Sequence, residues 1–245
     1  MIVKEKHITM KTTRLLTLLA LLMISAVSCN RPFALSENGT VNGHGYVDLG
    51  LPSGTLWATC NVGADTPDEK GEYFAWGETQ PKKEYNWRNY KYSEKGGGYT
   101  KYNERDRLTE LQIGDDAAAI NWGGGWRTPT DNDWAELLNN TYREYIYDYP
   151  YCGIVFTGKN DETMYLPINN WYDGDYVIAR KPAGRYWENT LSHAVLSRMP
   201  YYSDSDCEDA KCMDFTVTRD DKVECRFLDY SRYCGMGIRP VHSRK

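Results

Sequence analysis

The sequence has few of the residues that build metal centres. It contains only four histidines, His7, His44, His193 and His242, and no two stand at a helical ligand spacing such as i and i+4. No two cysteines have CxxC spacing. The acidic stretch SDSDCED, residues 203–209, lacks the central Gly and terminal Glu of an EF-hand loop. We interpret that stretch as a solvated loop, and we expect neither a bound metal nor another cofactor.

An excess of basic residues is also missing. The chain has 29 Lys and Arg against 34 Asp and Glu, a formal net charge of −5. Residues 1–28 hold four of the basic and one of the acidic side chains, so the chain from residue 29 onward carries a net charge of −8. Nucleic-acid binding requires a basic face. We therefore expect no nucleic-acid partner.

Recognisable catalytic motifs are absent as well. In NWGGGWRTPTDNDWAELLNN, Gly123–Gly125 precede a helix start, an arrangement that binds anions in other proteins. A P-loop needs Lys and then Ser or Thr after the last glycine, whereas Trp126 stands here. No GxSxG elbow is present. We predict a tight structural corner at this stretch, and we assign no catalytic residue.

The N-terminus has the pattern of an export signal. Basic residues within positions 1–14 precede an apolar run, Leu15–Val27, that is too short to span a bilayer comfortably. The run ends in ISAVSC, with small residues directly before Cys29, which resembles the lipobox of bacterial lipoproteins. We predict a signal peptide at 1–28 and lipidation of Cys29, which would anchor the chain in a membrane. The alternative is an ordinary signal peptide cleaved near Ser28, with Cys29 unmodified.

Six further cysteines follow: Cys60, Cys152, Cys207, Cys212, Cys225 and Cys234. An even number in an exported protein permits up to three disulfides, whose pairing the sequence does not reveal. Buried free thiols are the alternative for some of them.

The remaining chain is predicted to form a tether and one α+β domain. Residues 29–43 are polar and lack periodicity, which indicates a flexible tether, and 44–245 form the domain. Two helices are expected, one at Asp115–Trp122 and one capped by Thr130 with Asp133 in a capping box. The charged segment 80–106 is predicted to be an exposed loop.

Short antiparallel strands account for most of the other regular structure. A hairpin or a strand pair is expected around Pro52–Gly54, a hairpin around Asp220-Asp221, and a strand at 142–151. Pro150 would restrict that strand to a sheet edge or would end it. Many strands late in the chain and two helices before them indicate an α+β class with long loops.

Aromatic residues suggest where a partner binds. The chain has 20 Tyr and 8 Trp but only 5 Phe, and Tyr and Trp favour contact surfaces because they combine apolar area with a polar group. Trp171 and Tyr172 lie between polar residues, in NNWYDGDY. Four tyrosines alternate along residues 142–151 and would share one face of a single strand. The candidate ligand-binding residues are Trp171, Tyr172, Tyr145, Tyr147, Tyr149 and Tyr151.

Several segments together resemble a known family. YVDLGLPSGTLWATCNVGA, GEYFAWGET, DDAAAINWGGGWRTPTDNDWAELL, YLPI, RYWENT and GIRPV occur in this order in the Fibrobacter succinogenes major paralogous domain family, which is abundant in lipoproteins of Bacteroidetes. The resemblance covers residues 45–241. It implies a C-type-lectin-like fold related to the formylglycine-generating enzymes. The tripeptides that bind sugar through calcium in C-type lectins are absent.

The sequence thus predicts a lipid-anchored, non-enzymatic binding or adhesion module in the outer membrane or at the cell surface. The sequence does not determine its orientation, and the domain could also face the periplasm. Its expected ligand is a protein or a glycan. One alternative is a cysteine-dependent enzyme of the formylglycine-generating type. In such an enzyme Cys225 and Cys234 would be the reactive residues. We expect instead that they are used in structural disulfides. Another alternative is a structural subunit of a surface assembly.

Overall fold

The computed structural model describes residues 33–178, 182–192 and 209–244. The chain divides into two units, Met1–Ala34 and Leu35–Lys245, and only two residues of the first belong to the described ranges. The predicted signal peptide, Cys29 and Cys207 therefore lie outside the described residues. Within those ranges, no helix has the length and the apolar character needed to cross a bilayer.

The first sheet joins the two ends of the folded unit. Its four strands are β1 (Gly39–Val41), β2 (His44–Val47), β3 (Leu56–Ala58) and β12 (Val241–His242), in the order β1-β2-β3-β12, and all neighbours are antiparallel. The expected hairpin or strand pair around Pro52–Gly54 is confirmed, because it connects β2 to β3.

Two three-stranded antiparallel sheets and a small hairpin form the second half of the chain. The strands are β4 (Thr141–Asp148), β5 (Tyr151–Gly158), β6 (Thr163–Pro167), β7 (Trp171–Asp173), β8 (Tyr176–Ile178), β9 (Ala183–Leu191), β10 (Asp209–Val217) and β11 (Val223–Ser231). The sheet orders are β4-β5-β6, β7-β8 and β11-β10-β9. The hairpin expected at Asp220-Asp221 is confirmed as the β10–β11 turn.

The two predicted helices are present as α1 (Ala117–Trp122) and α2 (Asp131–Asn140), and Asp116 caps α1. In α2 the Thr130 hydroxyl accepts a hydrogen bond from the Asp133 main-chain N–H at 3.1 Å, and Asp133 accepts one from the Thr130 N–H at 2.7 Å. This is the predicted capping box. Two short 3-10 turns, Trp87–Asn89 and Ile113–Asp115, are the other helical segments described. Mostly antiparallel strands in small sheets with two α-helices confirm the α+β class.

The glycine-rich stretch is a corner that packs against the β1–β2 turn. Gly124 has a φ of +62°, and a Cβ there would lie 2.6 Å from the Cβ of Asn42, so only glycine fits. Trp126 is buried and donates its indole N–H to the Val41 carbonyl at 2.9 Å. Arg127 binds both carboxylate oxygens of Asp133, at 2.6 and 3.0 Å. Its guanidinium is therefore engaged in holding the start of α2.

The predicted tether is corrected by the structure. Gly39–Val41 form β1, and Asn42 and Gly43 make the turn into β2 with φ values of +49° and +83°. An Asn-Gly pair is a strong local signal for a two-residue hairpin. The tether prediction overlooked this signal, so the ordered part of the chain includes residues that were expected to be flexible.

The prediction for segment 80–106 is also corrected in part. The segment has almost no regular structure, as expected for a loop, but it is not simply exposed. Five of its tyrosines are buried in the larger of the two hydrophobic clusters: Tyr85, Tyr90, Tyr92, Tyr99 and Tyr102. Asp115 binds Lys91 at 2.9 Å and the Tyr102 hydroxyl at 2.8 Å, which fixes the segment. The charged residues between the tyrosines obscured this apolar set.

The second cluster lies between the β4-β5-β6 and β11-β10-β9 sheets. Ile154, Phe156 and Leu166 of one sheet pack there with Met213 and Phe215 of the other. Trp57 and Trp134 also belong to this cluster, and their ring centroids are 4.6 Å apart. Apolar burial of this kind contributes most of the free energy that holds antiparallel sheets face to face.

Replacement of Asp133 by Asn tests the α2 start. We expect Asp133→Asn to lower the free energy of unfolding by about 2 kcal/mol at pH 7, because it removes charged hydrogen bonds from a buried site. Burial acts to raise the Asp133 pKa, but Arg127 and Thr130 hold it below its usual value. The stabilisation is thus present above the unfolded pKa of about 3.9 and is lost as the pH falls through the lower folded pKa.

Urea unfolding followed by tryptophan fluorescence measures this difference at pH 7 and at successively lower pH. The matched variant Asp131→Asn removes a half-exposed carboxylate from the same turn and should change stability by no more than about 0.5 kcal/mol. Equal losses in the two variants would contradict the proposed role of the Arg127–Asp133 pair.

Candidate functional site

The β4–β5 hairpin presents the most exposed tyrosines of the predicted set. Tyr147 is 78% exposed and Tyr149, in the turn, is 97% exposed. The ring of Tyr145 stacks on that of Tyr147, with centroids 6.2 Å apart, and its hydroxyl lies 3.6 Å from the Cys152 sulfur. Tyr145 is half-buried and thus supports the exposed ring beside it.

The expectation that four tyrosines share one face of one strand is wrong. The chain reverses at Tyr149 and Pro150, so Tyr151 begins β5 and pairs with Asp148. Side chains of directly paired residues lie on the same face. Tyr151 therefore lies on the opposite face from Tyr145 and Tyr147, and it is buried. Pro150 ends the strand, which is one of the two outcomes expected for it.

Trp171 was expected to be exposed, and it is buried instead. The guanidinium carbon of Arg185 lies 3.5 Å from the centroid of the Trp171 ring and 4.3 Å from that of Tyr230. The Trp171 indole N–H donates to the Tyr230 hydroxyl at 3.2 Å. Arg185 also binds Asp214 at 2.8 Å. These contacts explain the burial, because the Arg185 and Tyr230 side chains both cover the Trp171 ring.

Tyr172 is half-buried by other aromatic rings. Its ring meets the edge of Tyr73 at 4.8 Å and lies 5.7 Å from Tyr85. Its main chain exchanges hydrogen bonds with Gly235 at 2.8 and 3.0 Å. The structure thus assigns Trp171, Tyr172 and Tyr151 mainly to packing, and leaves Tyr147 and Tyr149 as the exposed members of the predicted site.

Among the described residues, two tyrosines outside the predicted site are also exposed. Tyr142 on β4 is 72% exposed, and Tyr176 at the β7–β8 hairpin is 71% exposed. Successive side chains of β4 lie on alternate faces of the sheet, and Tyr142 lies on the face opposite to that of Tyr145 and Tyr147. It therefore faces away from the second cluster. Its separation of three residues from Tyr145 is the sequence signal for this position, because an odd separation along a strand places two side chains on opposite faces.

A polar groove lies beside β2. It has a volume of about 410 Å³, and it is lined by Glu37, His44, Cys60, Asp65 and Trp122 among others. The His44 and Trp122 rings stack with centroids 3.9 Å apart. Burial lowers the pKa of His44, which favours its neutral form at pH 7. In the described part of the chain, no three His, Cys, Asp or Glu side chains converge as a metal site would require.

The structural disulfides expected for the cysteines, Cys225 and Cys234 among them, are not formed in the described part of the chain. All five cysteines that the structure describes are free thiols: Cys60, Cys152, Cys212, Cys225 and Cys234. Burial raises the pKa of the Cys225 thiol to about 11 and that of Cys234 to about 12. Burial also raises the pKa of Cys212 far above its usual value. These three thiols are thus protonated at neutral pH, whereas the thiolate is the reactive form.

Glu188 on β9 is a buried carboxyl that no sequence motif indicates. It is fully buried, and neither carboxylate oxygen has a hydrogen-bond partner. Burial raises its pKa to about 8; Asp131 and Asp229 add to the rise, and Lys211 opposes it. The Lys211–Asp131 ion pair, at 3.0 Å, couples β10 to the start of α2. A neutral Glu188 is therefore part of the folded structure near neutral pH.

Comparison of the chain with protein-family models, curated proteins and solved structures found no match.

The pH dependence of stability tests the state of Glu188. Because the folded pKa exceeds the unfolded pKa of about 4.5, the folded state binds more protons between these values. The free energy of unfolding should thus fall by roughly 3 kcal/mol between pH 5 and pH 8 from this group. Glu188→Gln should remove that decline, and urea titrations at several pH values measure it.

Glu224→Gln, at an exposed position of β11, is the matched control and should keep the wild-type pH profile. A Glu188→Gln variant that retained the full decline would show that another group causes it.

Proposed function

We propose that the protein is an exported, lipid-anchored and non-enzymatic binding or adhesion module, which recognises a protein or a glycan through exposed tyrosines of the β4–β5 hairpin. The observation that carries the proposal is the exposure of the neighbouring side chains of Tyr147 and Tyr149, at 78% and 97%. Tyrosine supplies large, stiff contact area at a low entropic cost, which suits it to contact surfaces.

A C-type-lectin-like fold of the Fibrobacter succinogenes major paralogous domain type belongs to the same proposal. The motif segments support it because they meet in space. Trp57 of LWATC packs on Trp134 of the α2 segment, and Arg239 of GIRPV binds the carbonyls of Ala58 and Thr59. Tyr186 of RYWENT donates to the carbonyl of Pro167 within YLPI. Residues shared with that family would thus form the framework, and the tyrosine hairpin would be an individual feature of this chain.

The absence of catalysis is supported by the state of the thiols. Cysteine-dependent chemistry of the formylglycine-generating type needs reactive thiolates, and Cys225 and Cys234 were the residues considered for it. Their pKa values of about 11 and 12 leave both protonated at pH 7. Cys60 lines the polar groove and is partly exposed, as are Cys152 and Cys225.

Anchoring is proposed through Cys29, in the outer membrane or at the cell surface, with the orientation left open. The lipobox-like ISAVSC and the preceding apolar run support it. Several acyl chains on one cysteine give stable attachment, because each buried CH2 contributes about 0.8 kcal/mol.

The anchor is tested by metabolic labelling. In a bacterial host that processes lipoproteins, wild-type protein should incorporate radiolabelled palmitate and sediment with membranes. Cys29→Ser should lose the label and appear in the soluble fraction, because the acyl acceptor is gone. Cys60→Ser is the control and should keep both properties. Retention of label in Cys29→Ser would refute lipidation at this residue.

The contact surface is tested with a glycan array and with a pull-down of envelope proteins. Tyr147→Ser and Tyr149→Ser should each weaken binding by about tenfold, since an exposed aromatic anchor typically contributes this much. Their unfolding free energies should stay within about 0.5 kcal/mol of wild type. Tyr176→Ser, at an equally exposed tyrosine of the β7–β8 hairpin, should bind normally. Equal binding by all variants would remove the proposed site.

A further inference from the structure

β4 is an edge strand with an open side. It pairs with β5 along its whole length, and no described segment forms main-chain hydrogen bonds with its other side. The opposite edge of the same sheet is treated differently. There the Ser36 N–H donates to the Thr163 carbonyl of β6 at 3.1 Å. The sheet is therefore partly covered at β6, whereas among the described residues the outer side of β4 has no main-chain partner.

The open strand lacks three common protections against strand addition, although it carries the charged residues Arg143, Glu144 and Asp148. Its eight residues pair with β5 in an uninterrupted register, without a bulge, and none of them is Pro or Lys. Bulges, prolines and lysines are common devices that stop an edge from pairing with another chain. About half of the residues of an antiparallel edge strand direct their N–H and C=O groups outward. β4 thus offers a regular row of main-chain donors and acceptors.

The side chains of β4 fall into two rows. One row, with Tyr145, faces the second hydrophobic cluster. The other row consists of Tyr142, Glu144, Ile146 and Asp148, and all but Ile146 are exposed. Within the described ranges, neither Glu144 nor Asp148 forms an ion pair. A strand added at this edge would place its own side chains beside this acidic row.

We propose that β4 binds an extended polypeptide segment as an additional strand, and that this segment carries Lys or Arg at two positions four residues apart, opposite Glu144 and Asp148. The position between them holds an apolar side chain against Ile146, and the position beyond the residue opposite Glu144 holds another against Tyr142. The inference rests on the proposed function and specifies the partner of the same hairpin, because Tyr147 and Tyr149 continue the contact at the end of β4.

A polypeptide fits this edge better than a glycan does. Its N–H and C=O groups repeat at the spacing of the β4 main chain, so it satisfies the outward donors and acceptors together. A second copy of this chain fits less well, since two β4 strands edge to edge would gather four carboxylates at one junction. Like charges opposite each other destabilise strand pairs. The charge pattern therefore selects a basic partner.

A displayed library of random twelve-residue peptides, selected against the purified protein, tests the inference. Enriched peptides should carry two basic residues four positions apart. Glu144→Lys combined with Asp148→Lys should weaken their binding at least about tenfold, because two attractive charge pairs become repulsive. Glu104→Lys combined with Glu224→Lys, which makes the same change of net charge at exposed positions outside β4, should leave binding unchanged.

N-methylation of alternate main-chain amides in an enriched peptide gives the second readout. Methylation of the amides that face β4 should abolish binding, because these N–H groups donate the hydrogen bonds of the strand pair. Methylation of the intervening amides should be tolerated, because their N–H groups point away from β4. No enrichment over the Glu144→Lys/Asp148→Lys variant, or equal tolerance of both methylation patterns, would overturn the inference. Glycan binding that depends on Tyr147 and Tyr149, without peptide enrichment, would overturn it and leave the proposed function intact.

Discussion

The buried guanidinium of Arg239 connects the two ends of the folded unit, and much of the structure depends on it. It is completely buried and donates to the carbonyls of Ala58 and Thr59 at 2.9 and 2.6 Å and to the side-chain oxygen of Asn61 at 2.8 Å. These partners are neutral, so the charge is stabilised by carbonyl dipoles. Such an arrangement holds only when its geometry is well ordered.

Neighbouring residues of the C-terminal segment extend this connection. Main-chain bonds join Met236 to Phe74, Gly237 to Trp187 of β9, and Val241 to Arg127 of the glycine-rich corner. The corner, α2 and the β9 sheet are thus positioned by one short segment. The tyrosine hairpin follows α2 directly in the chain, so its orientation depends on the same framework.

Signals confined to a few residues were sufficient to predict much of this fold. Thr130 and Asp133 are three residues apart, and the turn at Asp220-Asp221 lies between two alternating strands, so local chemistry determines both. The burial of Trp171 had no such signal. It depends on Arg185 and Tyr230, which are 14 and 59 positions away and approach only through the arrangement of β7, β9 and β11. The unpaired burial of Glu188 is likewise a property of the packed sheets.

The abundance of tyrosine has two separate physical causes, and only one of them concerns binding. In the loop-rich core, many main-chain carbonyls have no strand or helix partner. Tyr90 donates to the Trp76 carbonyl at 2.8 Å, and Tyr186 donates to the Pro167 carbonyl at 2.7 Å. Phenylalanine would fill the same space and leave these acceptors unsatisfied, at a cost of about 1 kcal/mol or more each.

This requirement explains why tyrosine exceeds phenylalanine inside the protein. It does not apply to Tyr147 and Tyr149, whose rings contact mainly solvent. Composition alone does not distinguish tyrosines that satisfy internal acceptors from tyrosines that face solvent. For this reason Trp171 and Tyr151 were wrongly interpreted as contact residues. What separates the two groups is whether the hydroxyl satisfies an internal acceptor. By that criterion the exposed tyrosines at the end of β4 have no packing role, and neither do Tyr142 and Tyr176; Tyr147 and Tyr149 differ from the latter two in lying close together at the end of an open strand.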